Sequence, residues 1–189
     1  MNKELDWPRI AHLMKIGIAA ALMVLTGDIL LGWGVSDPSV KGIPAVFTRY
    51  LSVLNGRIFA SAVLGLVGIS IECLSWFAIY RMIRSYSEKN AHDFRAGILG
   101  CLAFGSYDVH VPCCMMVYLL RHFYADDAAQ VVQRMTPWLG WFLLPATLAF
   151  AVFFFLAAIV QIRAFRAGHT PLPRRCWVFS LLFGLFWMV

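Results

Sequence analysis

The chain has 189 residues, of which 61% are hydrophobic and 14% charged, with a formal net charge of +6. A soluble domain carries roughly one quarter charged residues, so this composition excludes an ordinary soluble enzyme or binding domain and points to a membrane protein. The positive charge forms no basic stripe, and nucleic acid is not an expected partner.

Apolar residues arrive in blocks of about twenty separated by short basic segments, the pattern of transmembrane helices. The predicted spans run from about His12 to Trp33, Ile58 to Ile79, Gly97 to Leu119 and Trp138 to Ile162. A fifth begins at Cys176 and is still apolar at Val189. At about 1.5 Å per residue it reaches about 21 Å of a roughly 30 Å hydrocarbon core, so the natural protein is expected to continue. The first apolar run exceeds the roughly 7–15 residues of a signal-peptide core and no A-x-A-like site follows, so it reads as a retained span. The expected fold is all-α: a polytopic transmembrane helical bundle with four full spans and a fifth cut off at the C-terminus, forming one domain over residues 1–189.

Eleven Lys and Arg residues fall in the N-terminal segment, after the second span and after the fourth; five (Lys41, Arg49, Arg57, Arg121 and Arg134) fall on the opposite side. The positive-inside rule then makes the N-terminus cytoplasmic. Between the first two spans, Ile43, Val46, Phe47, Tyr50, Leu51 and Leu54 recur at helical spacing, with Thr48, Arg49, Ser52 and Asn55 largely elsewhere on the wheel. That is an amphipathic helix in the outer interface, a surface connector or a lid. In "FYADDAAQVVQRMTPW", Asp126 or Asp127 is an N-cap candidate for a short helix that Pro137 ends, and Trp138 and Trp141 resemble an aromatic belt.

Five cysteines lie in or at the edges of spans without CxxC spacing, so core packing is expected rather than zinc or redox chemistry, and no metal or cofactor. The informative residues are the polar ones at membrane depth. Asp28, Glu72 and Asp108 lie inside spans, no Lys or Arg lies deep within one (Lys15 stands at the inner end of the first), and His110 is the one basic group at that depth. An unpaired carboxylate at that depth must take a proton or find a cation. With 1.5 Å of rise per residue, Asp108 sits near the midplane, His110 about 3 Å farther out, Asp28 about 9 Å on the outer side and Glu72 about 5 Å on the inner side. Asp28 with His110, and Asp108 with Glu72, are then within reach if their helices are neighbours.

In the second span Ser61, Gly65, Gly68, Glu72 and Ser75 form a stripe of mostly small residues, which lets helices approach closely and turns Glu72 inward. In the third, Pro112 cannot donate to the carbonyl of Asp108, so a kink is expected. Tyr107, His110 and Cys114 share one face of an undistorted helix, whereas Asp108 and His110 stand roughly 200° apart. Asp28 has two open readings: an ion pair with Arg57, which begins the second span on the same side, or a cavity shared with His110. For His110 the alternatives are a ligand role or a core histidine bonded to Tyr107 or a carbonyl.

The runs "GDILLGWG", "GRIFASAVLGLVGISIECLSWFAIYR", "AGILGCLAFGSYDVHVPCC" and "FLLPATLAF" together resemble an uncharacterised family of bacterial multi-pass membrane proteins, a domain of unknown function with GDxLLG in the first span. That resemblance covers essentially the whole chain and implies a polytopic fold in a bacterial cytoplasmic membrane, but no activity. "GDILL" also resembles the GD-x-LL motif of lysoplasmalogenase-like membrane enzymes, where an intramembrane acid belongs to an ether-lipid hydrolase site. The H-x-x-Y pattern of those enzymes does not follow Asp28 here.

The leading expectation is a polar pocket between helices, formed by Asp28, Glu72, Tyr107, Asp108 and His110, that binds a small or lipid-like ligand or a cation among membrane lipids. An intramembrane lipid hydrolase would use His110 as base with Asp28 or Asp108 as orienter, though no serine elbow or HExxH motif is present. An assembly subunit would instead pair its acids with a partner's basic residues.

Overall fold

The computed structural model describes residues 5–123 and 128–182. Among the described residues there are helices and turns but no strand. The helices are α1 (Trp7–Gly32), α2 (Ile43–Leu51), α3 (Asn55–Ser75), α4 (Phe77–Arg84), α5 (Glu88–Phe104), α6 (Val111–Phe123), α7 (Ala128–Trp138) and α8 (Leu144–Ala167). Helical π turns at Ser106–His110 and Leu139–Leu143 join α5 to α6 and α7 to α8. The stretches Trp7–Gly32, Asn55–Arg84, Glu88–His122 and Gln133–Ala167 are each long and apolar enough to cross a membrane.

The ends of these helices follow from local chemistry. Asp6 caps α1, its carboxylate accepting the Arg9 amide at 3.1 Å, and Gly32 and Gly34 flank the stop. Ser87 caps α5 by accepting the Asn90 amide at 3.3 Å, with Glu88 in the favourable first turn.

Both π turns directly precede an X-Pro step, Val111-Pro112 and Leu144-Pro145. A proline ring collides with the carbonyl four residues back, and one extra residue in the preceding turn widens the helix enough to continue. Accordingly Val111 N–H donates to Ser106 and Leu144 N–H to Leu139, both five residues back. Pro137 therefore does not end a short helix: it lies inside α7, which runs on through the π turn into α8. The Asp126 and Asp127 cap candidates lie outside the described residues. Around the expected fifth span, Arg174–Phe179 form a 3-10 turn and Ser180 is extended, so no continuous α-helix starts at Cys176, and residues 183–189 lie outside the description.

The chain divides into two compact units. The first comprises Met1–Ala19, Ile71–Ala103 and Ala149–Val189. Its core joins Ile83, Ala91, Phe94, Ile98, Ala157, Val160 and Ala164, with a smaller cluster of Ile10, Ala78 and Met82. A Cβ at Gly97 would lie 2.8 Å from that of Ala157, so α5 and α8 touch nearly backbone to backbone.

The second unit comprises Ala20–Ser70 and Phe104–Leu148. Val53, Ile58, Cys114, Met116, Val117, Leu120 and Met135 form its core. Phe47, Tyr50 and Leu51 of the amphipathic α2 pack onto that core, so this apolar face is covered by protein. Thr48 is buried too, against its expected place on the polar face, because its hydroxyl accepts the Asp37 amide at 2.9 Å and donates to the Ala45 carbonyl at 2.8 Å. Leu54 is exposed because α2 stops at Leu51. In the turn before α2, the Ser39 hydroxyl and amide both donate to Asp37 and hold its carboxyl below the usual carboxylate range.

Candidate functional site

The second unit brings three helices to one polar point. In α3, Ser61, Gly65 and Gly68 are buried on one side, and their small size decides what can approach. A Cβ at Gly68 would meet Val24 Cγ2 at 2.9 Å and the Ala20 carbonyl at 3.3 Å, so α1 rests directly on this stripe. A Cβ at Gly27 would stand 3.3 Å from the Ser61 carbonyl. A Cβ at Gly65 would fall inside the imidazole of His110, which occupies the slot that the missing side chain leaves.

His110 ends the first π turn and its side chain is only 9% exposed. Its Nε2 lies 3.0 Å from the Ser61 carbonyl oxygen and 3.5 Å from Ser61 Oγ, and its Nδ1 lies 3.7 Å from Asp28 Oδ1. A carbonyl only accepts, so Nε2 carries the hydrogen and Nδ1 faces the carboxylate. Asp28 is 45% exposed on its other side. Ser61 Oγ also contacts Cys114 Sγ at 3.6 Å. Elsewhere in the unit, Ser70 donates to the Leu66 carbonyl at 2.8 Å, which leaves the buried Ser106 hydroxyl to donate to Ser70 Oγ at 3.2 Å.

Of the expected site residues in this unit, the structure joins Asp28 and His110, while Arg57, Tyr107 and Asp108 stand apart from that couple. Arg57 does not pair with Asp28. Its Nη2 donates to the Trp33 carbonyl at 2.6 Å and approaches that of Ile29 at 3.5 Å, capping the C-terminal end of α1 where helix carbonyls lack internal partners. Tyr107 is 67% exposed and does not share the His110 face, because the wider π turn rotates it away, while Cys114 keeps its place beside Ser61. Asp108 is also exposed and has no hydrogen bond or ion pair among the described residues. Glu72 is half-buried and belongs to the first unit.

All five cysteines are free, and among the described residues no group of three His, Cys, Asp or Glu side chains is placed to hold a metal ion. The residue missed from sequence is Ser61, which stood out only as a small member of a packing stripe. Its four-residue offset from Gly65 is the signal that its carbonyl and the ring slot lie on one face.

No curated protein and no solved structure matches this chain. Residues 1–189, its whole length, match a family described as "Family of unknown function (DUF6796)". With apolar helices of membrane-crossing length throughout that match, the chain belongs to the DUF6796 family, whose function is unknown.

Proposed function

We propose that this is a multi-pass protein of a bacterial cytoplasmic membrane in which the Asp28–His110 couple binds a small cation or the polar head of a lipid-like ligand. The N-terminus is cytoplasmic in this reading, on the strength of the eleven-to-five distribution of basic residues. A membrane-impermeant thiol reagent should therefore label Ser39→Cys from outside the cell and leave Ser87→Cys at the background of the native chain. The opposite pattern would invert the topology.

The observation that carries the binding reading is the half-exposed Asp28 carboxylate, whose Oδ1 lies 3.7 Å from His110 Nδ1. In this reading, with His110 Nε2 engaged by the Ser61 carbonyl, the couple takes up a proton on its Asp28–Nδ1 side, and a cation that takes the half-exposed carboxylate displaces that proton. Binding and proton release are then one event. With the full chain in lipid nanodiscs and weak buffer, and with sodium, potassium and an alkylammonium ion as probes, uptake should release about one proton per site and tighten by up to about tenfold per pH unit as pH rises. Asp28→Asn should remove both effects while the chain stays folded. Folded protein that releases no proton with any of these probes, and retains no lipid through purification, would overturn the reading.

A second reading is favoured by the order of the same groups, Ser61 Oγ, His110 and Asp28, which matches the sequence of groups in an acyl-transfer relay. In it Asp28 orients the ring, His110 takes the Ser61 hydroxyl proton as Oγ attacks a lipid ester carbonyl, and the ester C–O bond breaks to leave an acyl-serine while His110 returns the proton to the departing alcohol. The difficulty is that Ser61 is fully buried and Nε2 already donates to a carbonyl. A fluorophosphonate that labels the native chain and spares Ser61→Ala would make this the better account.

A further inference from the structure

Asp108 stands on an open helix face in the middle of an apolar stretch. The helix Glu88–His122 has 35 residues, whereas a hydrocarbon core of roughly 30 Å takes about 20. Any core-length window that avoids the charged start Glu88–Arg95 contains Asp108. Tyr107, Met115 and Tyr118 of the same helix are also exposed and by helical spacing share one strip of the second unit, with the Asp108 carboxylate at its edge. In hydrocarbon such a group takes a proton or finds a partner, and this chain carries no Lys or Arg near the depth of Asp108.

We propose that this strip is the contact between two copies of the chain, in which the Tyr107 hydroxyl of each copy donates to the Asp108 carboxyl of the other. The occupant is a second copy because the strip is complementary to itself. A two-fold axis along the membrane normal places residues of equal depth opposite one another. Tyr107 and Asp108 are consecutive, about 1.5 Å apart along the axis, so donor meets acceptor twice across the axis with no shift of register. Met115 and Tyr118 continue the strip as apolar contact. The π turn is what makes this face: it turns Tyr107 out beside Asp108 while keeping His110 inside, so one irregular turn serves the interior and the contact.

The test uses the full chain in lipid vesicles at high dilution, with subunits counted by single-molecule photobleaching. The native chain should be dimeric. Tyr107→Phe and Asp108→Leu, each alone, lose both reciprocal bonds and should weaken the dimer about tenfold or more. Mixing these two variants restores one intact Tyr107–Asp108 bond, so the mixed pair should form in preference to either variant with itself. Asp108→Asn, which keeps the shape and an acceptor, should fall between native and Asp108→Leu and guards against a folding artefact. A native chain that is monomeric, or a dimer indifferent to these substitutions and without preference for the mixed pair, would overturn the proposal. So would an Asp108 effect that Tyr107→Phe does not share, since that pattern belongs to a basic partner protein.

Discussion

Gly65→Ala should destabilise the protein by about 1–3 kcal/mol, and Gly65→Leu should largely abolish the yield of monodisperse protein, because any Cβ at this position occupies the space of the His110 ring. The direction is informative, since alanine in a helix interior is ordinarily favoured over glycine by about 1 kcal/mol. Gly56, in the same helix, supplies the contrast. A Cβ there meets nothing within 4 Å, so Gly56→Ala should be neutral or stabilising by up to about 1 kcal/mol. The ring cannot simply move aside: it is held at Nε2 by Ser61 and closed in beside Asp28. His110→Ala empties the slot, so adding it to Gly65→Ala should recover part of the loss. Melting temperatures of the four variants in one detergent decide the matter. Equal behaviour of Gly65→Ala and Gly56→Ala would mean that the imidazole does not lie against α3.

The second large effect concerns the partner of Asp28. Two double-mutant cycles separate the possibilities: Asp28→Asn with His110→Gln, and Asp28→Asn with Arg57→Ala. The first pair should be coupled by about 1–2 kcal/mol, low for an ion pair of the interior because the carboxylate is half exposed. The second should be additive within about 0.5 kcal/mol, because Arg57 spends its hydrogen bonds on the carbonyls of Ile29 and Trp33 rather than on Asp28. Arg57→Ala alone should still cost about 1 kcal/mol through loss of the α1 C-terminal cap. Strong coupling of Asp28 to Arg57, with none to His110, would reverse the assignment.

Four long apolar helices were legible in the chain because the requirement behind them is local. Any apolar run of about twenty residues satisfies its own backbone as a helix, whatever it packs against. The small-residue stripe of α3 was legible for a related reason. Close helix approach demands residues without bulk at a fixed spacing, and Gly65 and Gly68 face neighbouring helices as that spacing predicts. The π turns had a signal that could have been used, since each stands directly before an X-Pro step.

Partner choice was not legible. Asp28 had Arg57 and His110 as equally reachable partners on paper. The decision fell to the end of α1, whose carbonyls claim the guanidinium, and to the vacancy at Gly65, which draws the imidazole in beside Asp28. Tyr107 shared a face with His110 only in an undistorted helix, and one extra residue in the turn put it outside with Asp108. The sequence by itself thus determined the helices and the residue types available at membrane depth, which depend on composition and spacing along one segment. Which acid meets which base was decided only in the tertiary structure, because it depends on where separate helices end, how closely they approach and how one irregular turn sets the phase of the next.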